Sequence, residues 1–334
     1  MRWHDNGLDA ITFDDVVLRP QYSSLSSRFD SKVTTEIEVN GYKRDICPII
    51  AANMKTIATK DMKLALSSLN VLVPAHRFQS TEEELEFFSF DDIHPNAGTV
   101  GLHDRERTDK IGDVSDIIFL ELAHADTKDC VDEIKYIKSM FPKKTLVVGN
   151  VATADACKRL FDAGCSIVKV GVGSGSICTT RRVTGCGVPQ LSAVLECAPI
   201  GPIISDGGHR ESSDVIKSLA AGASYVMLGA MLSGTDEAAG EVIDHNGKKT
   251  KTYSGMASRD SGKVKPGCVP EGVSAMVTYT GSASNIVKDL IAGIRQGLAM
   301  VGARDLNELR EKAVFQRISY SSLIESLPHI NFRS

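Results

Sequence analysis

The sequence predicts an α/β protein whose fold is a (β/α)8 TIM barrel. Short segments rich in Val, Ile and Leu recur eight times, and amphipathic helical patterns lie between them. Strands that are apolar along their whole length are typical of parallel sheets covered by helices. Eight such units, joined mostly by short connections, fit a closed barrel better than an open sheet.

A doubly wound open sheet is the alternative fold. It would bind a dinucleotide through the spacing G-x-G-x-x-G at the start of a helix. In the glycine-rich segment of this chain, at 171–175, the third glycine instead follows two residues after the second. This spacing favours the barrel.

The predicted elements alternate along most of the chain. The strands, in order, are 48–52, 71–75, 97–101, 117–122, 145–149, 167–171, 202–205 and 225–229. The helical patterns between them are 60–69, 82–88, 129–140, 154–163, 190–197 and 214–221. Helices at 286–301 and 306–312 close the chain. In the first of these, apolar positions recur at helical spacing, at Ile286, Leu290, Ile294 and Leu298.

An insertion follows the eighth strand, at residues 240–284, and we call it the flap insertion. Asn246-Gly247 between two strand-like segments is a strong signal for a two-residue hairpin. A tract rich in Gly, Pro and Lys follows, and long irregular loops in compact domains are often lids. We expect residues 1–334 to form one barrel domain, with this insertion as a mobile flap over its site.

Composition excludes several classes of protein. The 334 residues carry a net charge of −4, so no basic footprint for nucleic acid is present. No apolar run of about 18 residues predicts a membrane span, and the first residues lack the apolar core of a signal peptide. The eight cysteines show no C-x-x-C pair or metal-ligand spacing. They are therefore expected to be reduced thiols of a cytoplasmic protein.

The segment 168–181 carries the strongest functional signal. It begins as a buried strand and continues with Gly171, Gly173 and Gly175 on alternate positions. Glycines let the backbone approach a ligand closely, and Ser176 and Cys178 then supply a hydroxyl and a thiol. A glycine-rich turn with a buried cysteine is the simpler interpretation, since free cysteine is often buried. The order of strand, glycines and Ser-x-Cys-x-Thr favours a site.

The other candidate residues lie where the last two predicted strands end. In a TIM barrel the active site lies at the carboxyl ends of the strands, and the loops after strands seven and eight commonly bind phosphate. Asp206-Gly-Gly208 follows strand seven, and 229–234 follows strand eight. Asp206 suits the hydroxyls of a ribose, although Asp-Gly-Gly alone more often marks a tight turn.

Together these motifs closely resemble the IMP dehydrogenase/GMP reductase family over nearly the whole chain. The similar segments are 12–20, 51–54, 149–151, 173–181, 187–190, 206–208 and 253–256. The chain has no CBS-type regulatory domain pair after the second strand and no Arg-Tyr dipeptide, which the dehydrogenase flap uses to activate water. Both features favour the reductase branch, as do segments 51–54 and 190–198.

Two other functions stay open. Val269-Pro-Glu-Gly272 resembles dehydrogenase flaps as much as reductase flaps, so a compact IMP dehydrogenase that oxidises IMP to XMP with NAD is the first alternative. A non-catalytic, purine-nucleotide-binding sensor is the second. Three departures from the family pattern motivate it, at Glu121, Cys268 and Pro270.

The resemblance implies reductive deamination of GMP to IMP and ammonia with NADPH. It assigns Cys178 as the nucleophile that attacks C2 of the purine and forms a covalent thioimidate. Thr180 would hydrogen-bond the departing amine, and Glu271 on the flap would relay a proton with it. Without the family, a hydroxyl that satisfies the backbone of a turn explains Thr180 equally well, and a solvated surface charge is the simpler interpretation of Glu271.

The resemblance also implies how the ligands are held. By the resemblance, the phosphate is bound by Ser176, Gly208, Gly229 and Ala230. The ribose is bound by Asp206, with Gly207 beside it. The base is bound by residues of the flap that closes on it, which are Gly255, Met256, Ala257, Cys268, Pro270 and Gly272. The dinucleotide is bound by Ser27, Arg28, Arg77, Glu121, Leu122, Ala123, Val172 and Gly173. The family usually has Asp where this chain has Glu121, and a shift of about 1 Å there can cost about 10²-fold in rate.

A monovalent cation and an oligomer complete the implied site. K⁺ would bind the backbone carbonyls of Gly173, Gly175 and Cys178, since carbonyl oxygens suit hard cations. The resemblance further implies a homotetramer with the cofactor near a subunit boundary. No nucleic acid or membrane partner is expected.

Overall fold

Parallel strands form the centre of the structure, a computed structural model that describes residues 10–90, 94–255 and 269–327. The strands are β1 (Val16–Leu18), β2 (Thr35–Val39), β3 (Tyr42–Ile46), β4 (Ile49–Ala51), β5 (Ala97–Val100), β6 (Ile117–Glu121), β7 (Thr145–Val151), β8 (Ile167–Val170), β9 (Ile203–Asp206), β10 (Tyr225–Leu228), β11 (Ile243–His245), β12 (Lys248–Ser254), β13 (Ser274–Thr278) and β14 (Phe315–Arg317). The central sheet has the order β4-β10-β9-β8-β7-β6-β5, and all its pairings are parallel.

The segment 71–75 lies between the two edges of this sheet. Its Leu72 carbonyl accepts the N–H of Ala51 at 3.0 Å, and its Ala75 N–H donates to Ala97 at 2.9 Å. Pro74 has no N–H to donate, so the segment makes isolated contacts instead of a regular ladder. These contacts join β4 to β5, and the predicted (β/α)8 barrel class is confirmed. The second predicted strand is reduced to a single bridge, between Ile50 and Leu72.

Helices pack around the sheet. They are α1 (Lys60–Ser67), α2 (Thr81–Phe88), α3 (Arg105–Val114), α4 (Lys128–Met140), α5 (Ala154–Ala163), α6 (Thr180–Thr184), α7 (Gln190–Cys197), α8 (Ser212–Ala220), α9 (Ala230–Ser233), α10 (Ala283–Val301), α11 (Leu306–Lys312) and α12 (Tyr320–Glu325). The apolar pattern of the sequence does not predict α3. Its residues are mostly charged and only Thr108, Ile111 and Gly112 are buried, so its apolar periodicity is weak. In the described ranges no helix has both the length and the apolar character to cross a bilayer.

The apolar core lies mainly between the strands and these helices. One cluster of buried residues joins β4 and β10 to α1, α8 and α10, and includes Ile49, Val226 and Leu290. A second joins β6, β7 and β8 to α4, α5 and α7, and includes Val148 and Leu160. Burial of these side chains leaves the carboxyl ends of the strands as the place where polar groups gather.

The flap insertion contains an antiparallel sheet of order β11-β12-β13. Asn246 and Gly247 both have positive φ, at 55° and 76°, as a type I′ hairpin turn requires. The predicted hairpin is confirmed. Lys251 of β12 is 2% exposed, and its Nζ donates to the carbonyls of Thr235 at 2.9 Å and Ala238 at 2.6 Å. These bonds attach the sheet to the barrel.

The two ends of the described chain pair with each other. β1 and β14 form an antiparallel pair, and β2 and β3 form a hairpin beside the barrel. The β2–β3 turn is Asn40-Gly41, again with positive φ at both residues. Neither strand pair was predicted, although Asn40-Gly41 is the same turn signal as Asn246-Gly247.

Candidate active site

A cavity of about 280 Å³ lies at the carboxyl ends of the central strands. Most of the predicted site residues line it. From the substrate and catalytic sets these are Ser176, Cys178, Thr180, Asp206, Gly207, Gly208, Gly229, Ala230, Gly255, Glu271 and Gly272. From the dinucleotide and cation sets they are Arg77, Glu121, Leu122, Ala123, Val172, Gly173 and Gly175.

Some predicted residues do not line the cavity. Ser27 and Arg28 belong to a short 3-10 turn, in which Ser27 Oγ accepts the Phe29 N–H at 3.2 Å; the turn packs against α10. Pro270 lies next to Glu271 but outside the lining. Three further residues lie outside the described ranges: Met256, Ala257 and Cys268.

The loop after β8 depends on a glycine at its start. A Cβ at Gly171 would lie 1.9 Å from the carbonyl oxygen of Asp206, so no other residue fits between β8 and β9 there. The loop then turns back on itself, with the Cys178 N–H donating to the Gly175 carbonyl at 3.0 Å. This turn presents the Cys178 side chain, which is partly buried, at the cavity.

A hydrogen-bonded chain joins the three predicted catalytic side chains. The Cys178 thiol donates to Thr180 Oγ1 at 3.1 Å, and that hydroxyl donates to Glu271 Oε2 at 2.8 Å. A hydroxyl that accepts from a thiol and donates to a carboxylate can pass a proton between them. The geometry therefore connects a nucleophile to a proton acceptor.

Backbone pairing explains why Glu271 meets residues so distant in sequence. The Thr179 N–H donates to the Glu271 carbonyl at 2.9 Å, and the Val273 N–H donates to Ile177 at 3.0 Å. Cys178 and Gly272 face each other in an antiparallel bridge. Residues 271–273 of the flap insertion thus pair with the loop that carries Cys178.

A second cluster of polar side chains includes two cavity residues, Glu121 and Asp206, and a buried lysine. Lys169 Nζ is 2.7 Å from Glu121 Oε2 and 3.0 Å from Asp206 Oδ2. Burial alone would lower the pKa of the Lys169 ammonium, but the Asp206 and Glu121 carboxylates outweigh it and hold that pKa above its ordinary value. Lys169 is therefore charged. Asn53 donates to Glu121 at 3.1 Å, and Asn150 donates to Asp206 at 2.9 Å.

Glycine-rich backbone lies at the predicted phosphate end of the cavity. Gly207 and Gly208 both have positive φ, at 98° and 86°. Beside them His209 is buried, and burial lowers its pKa to about 3, so the imidazole is neutral. Its Nε2 lies 2.8 Å from Ser218 Oγ. An anion here would meet backbone N–H groups and hydroxyls.

The predicted dinucleotide end follows the loops after β6 and β8. Glu121, Leu122 and Ala123 line it at the end of β6, and Val172 and Gly173 line it after β8. Arg77 contributes a guanidinium, whose central carbon lies 4.8 Å from the centre of the Phe78 ring. This donor set fits a dinucleotide, since a guanidinium binds phosphate well.

Sequence reasoning missed several residues that line or support the cavity. Asn53 and Asn150 lay inside segments that carried the family resemblance, yet neither was assigned a role. Lys169 was a charged residue inside an apolar strand, which is itself a signal, because lysine is almost never fully buried unless paired. Tyr253 also lines the cavity, and its hydroxyl lies 3.4 Å from the Met54 sulfur.

The family model described as "IMP dehydrogenase / GMP reductase domain" matches residues 10–90 and 91–329. The chain belongs to the IMP dehydrogenase/GMP reductase family. This match confirms the family resemblance that the motifs indicated. Because the protein belongs to this family and is similar to GMP reductases, it is an oxidoreductase.

Relatives of both branches are similar to the chain. It is 36% identical over 329 residues to the GMP reductase of Caenorhabditis elegans, covering 92% of each chain. It is 38% identical to GMP reductase 1 of Mus musculus, covering 92% of this chain and 95% of that protein. To the inosine-5'-monophosphate dehydrogenase of Nitrosopumilus maritimus it is 45% identical over 234 residues, covering 64% of this chain and 49% of that protein.

Proposed function

We propose that this protein is a GMP reductase, which converts GMP to IMP and ammonia with NADPH. The observation that carries the proposal is the continuous contact from Cys178 through Thr180 to Glu271. GMP reductases similar to this chain match it over more than nine-tenths of both lengths. The purine-interconversion reaction fits the cytoplasm, which stays the expected location.

The first step is the loss of the amino group. The Cys178 thiol gives its proton through Thr180 to Glu271, and the thiolate sulfur forms a bond to C2 of the guanine. The C2–N bond then breaks, and Thr180 with Glu271 returns the proton to the departing nitrogen. Ammonia leaves, and the purine stays attached to Cys178 as a thioimidate. Positioned proton transfer of this kind contributes roughly 10²- to 10⁴-fold.

Loss of the Cys178 sulfur from C2 would then release IMP and restore the thiolate, with the hydride for C2 supplied by NADPH when that dinucleotide is bound. Arg77, Glu121 to Ala123, Val172 and Gly173 would hold it on the side of the cavity away from Gly229. Ser27 and Arg28 stay predicted cofactor residues, and since they lie outside this cavity they would serve a neighbouring copy in the proposed homotetramer.

The proposed substrate contacts use the other loops. Ser176, Gly208, Gly229 and Ala230 would bind the phosphate, while Asp206 and Gly207 would bind the ribose. The flap residues Gly255 and Gly272, with Met256, Ala257, Cys268 and Pro270, would close on the base. A K⁺ site on Gly173, Gly175 and Cys178 also stays a proposal. The Gly175 carbonyl accepts one hydrogen bond, and its second lone pair can still coordinate a cation.

IMP dehydrogenase is the second candidate function. The observation that favours it is the 45% identity to the Nitrosopumilus maritimus dehydrogenase, which is higher than to either reductase above. Against it, the match covers 64% of this chain, and the chain contains no Arg-Tyr dipeptide. The contact of Glu271 with Thr180 favours protonation of a leaving amine instead.

One assay separates these functions from each other and from a non-catalytic sensor. Purified protein is mixed with GMP and NADPH, and in parallel with NADH, while the absorbance of the reduced nicotinamide is followed. We expect absorbance to fall and IMP and ammonia to form in equal amounts. Formation of XMP from IMP and NAD⁺, with no oxidation of NADPH by GMP, would instead establish the dehydrogenase. Binding without either reaction would establish the sensor.

A further inference from the structure

Lys169 joins two carboxylates that line the cavity, those of Glu121 and Asp206. Its side chain is 3% exposed, and it contacts Glu121 on the proposed dinucleotide side and Asp206 on the proposed nucleotide side. The Glu121 side chain is 6% exposed, whereas that of Asp206 is 23% exposed. One buried ammonium is therefore shared by two carboxylates that face different ligands.

Strand register makes this sharing possible. Glu121 of β6 is opposite Gly149 of β7, and Gly149 is opposite Lys169 of β8. The two charged residues are thus two strands apart, about 9 to 10 Å between backbones, and must reach across the middle strand. A Cβ at Gly149 would lie 2.5 Å from the Lys169 Cβ, so the glycine provides the space.

The length of Glu121 also matters. Because its carboxylate must cross a strand to reach Lys169, an aspartate would be one methylene shorter and would lose the 2.7 Å contact. The unusual glutamate and the buried lysine therefore form a matched pair. Loss of one member leaves an uncompensated buried charge, which is strongly unfavourable.

The electrostatics link the two carboxylates. With both ionised and Lys169 charged, the cluster carries one net negative charge, and hydrogen bonds in such a low-dielectric network polarise one another. If Glu121 loses its charge, the whole ammonium becomes available to Asp206. The Asp206 carboxylate then becomes a weaker acceptor for a ligand hydroxyl.

We propose that Lys169 is a positioning residue that couples the dinucleotide subsite at Glu121 to the nucleotide subsite at Asp206. The inference rests on the proposed function, because it takes a purine nucleotide and a nicotinamide dinucleotide as the two ligands. It predicts that a change on one side alters binding on the other with no second ligand present.

The test is a cross-effect on binding. The dissociation constant of GMP is measured by calorimetry, without dinucleotide, for the wild type, Glu121→Gln, Lys169→Met and the double variant. Glu121→Gln is expected to weaken GMP binding about three- to tenfold, within the range of coupling between residues of one network. In the Lys169→Met background, Glu121→Gln is expected to alter the dissociation constant of GMP less than twofold. The reciprocal measurement uses Asp206→Asn and NADPH.

Lys63→Met is the matched control for loss of a buried lysine. Lys63 is 5% exposed and donates to the carbonyls of Phe87 and Phe88, away from the cavity. The Lys63→Met variant is expected to lower the stability of the fold without changing the dissociation constant of GMP or of NADPH. Should Lys169→Met not fold, Lys169→Arg keeps the charge, and its cycle with Glu121→Gln is expected to retain the cross-effect.

Two results would overturn the inference and leave the proposed function intact. If the wild type converts GMP and Glu121→Gln binds GMP as tightly as the wild type does, the two subsites are independent. A cross-effect of equal size with and without Lys169 would show that another residue couples them. If the wild type neither binds nor converts GMP, the proposed function fails, and this inference fails with it.

Discussion

Cysteines in two regions of this molecule differ in their burial and in their hydrogen-bond partners. Cys130, Cys157 and Cys197 lie between the helices and the sheet with no exposed surface, and burial raises the pKa of Cys130 to about 12. Cys178 is partly buried at the end of β8, and its thiol is hydrogen-bonded to Thr180. The first group behaves as small apolar side chains; the second faces a cavity and a proton acceptor.

Position in the barrel, and not residue type, therefore distinguishes the buried thiols from the thiol that we propose to be reactive. A thiol deep in an apolar layer cannot form the anion that attacks a carbon. At the carboxyl ends of the strands, polar neighbours come from loops far apart in sequence. The predictions below test this contrast, beginning with the largest effect.

Cys178→Ala is expected to lower kcat by at least about 10³-fold, because the proposed covalent bond to C2 forms at this sulfur. The matched variant is Cys157→Ala, which removes a buried thiol from the other region and is expected to keep kcat within about threefold. Both are measured with GMP and NADPH. Comparable losses in the two variants would remove the distinction between the regions.

Glu271→Gln is expected to lower kcat by about 10²- to 10³-fold, since an amide cannot accept the thiol proton. Thr180→Val should be similarly impaired, whereas Thr180→Ser keeps the hydroxyl and should retain at least about a tenth of the activity. The measurement is kcat against pH. If Glu271→Gln is as active as the wild type, the 2.8 Å contact to Thr180 has no catalytic role.

Alkylation with iodoacetamide should sort the thiols by region. Cys178 and the exposed Cys186 are expected to react first, and Cys47, whose pKa burial raises to about 12, is expected to stay unmodified in the folded protein. Added GMP should slow the reaction of Cys178 about tenfold and leave Cys186 unaffected. Peptide mass mapping gives each rate. Equal protection of both residues would argue against a nucleotide over Cys178.

His209 extends the comparison from thiols to an imidazole. It lines the cavity and is nevertheless buried and neutral. Its pKa is about 3 in the folded protein and near 6.5 when unfolded, so protons bind the unfolded chain preferentially between these values. This residue therefore lowers stability as pH falls from about 6.5 towards 3. In His209→Gln, the loss of unfolding free energy between pH 7 and pH 4.5 should be smaller by about 2 kcal/mol. Urea titrations at the two pH values measure this, and an unchanged loss would contradict a neutral imidazole.

Much of the fold was predictable because its signals are local. The apolar strands and the Asn246-Gly247 turn depend on neighbouring residues, and they are found where the pattern indicates. Helix α3 was missed because its charged surface hides the apolar positions. Segment 71–75 is extended but hardly pairs, since Pro74 interrupts the ladder, and this depends on how the barrel closes.

The site was predictable only in part. The order of glycines, Ser176 and Cys178 lies within one loop, and the family resemblance supplied Thr180 and Glu271. The Lys169 cluster was not predictable, because its contacts depend on the register of three strands and on the space above Gly149. A sequence indicates which residues reach a barrel mouth, but register decides which of them touch.

The most direct test of the central claim is the mass of the protein after reaction with IMP and NADP⁺ in the absence of ammonia. The reverse reaction transfers a hydride from C2 and leaves the purine bonded to sulfur, with no amine to complete it. After an acid quench we expect a mass gain equal to IMP less two hydrogen atoms, located on the peptide that contains Cys178 and absent from Cys178→Ala. Turnover by the wild type without this adduct, or the same adduct in Cys178→Ala, would contradict the account.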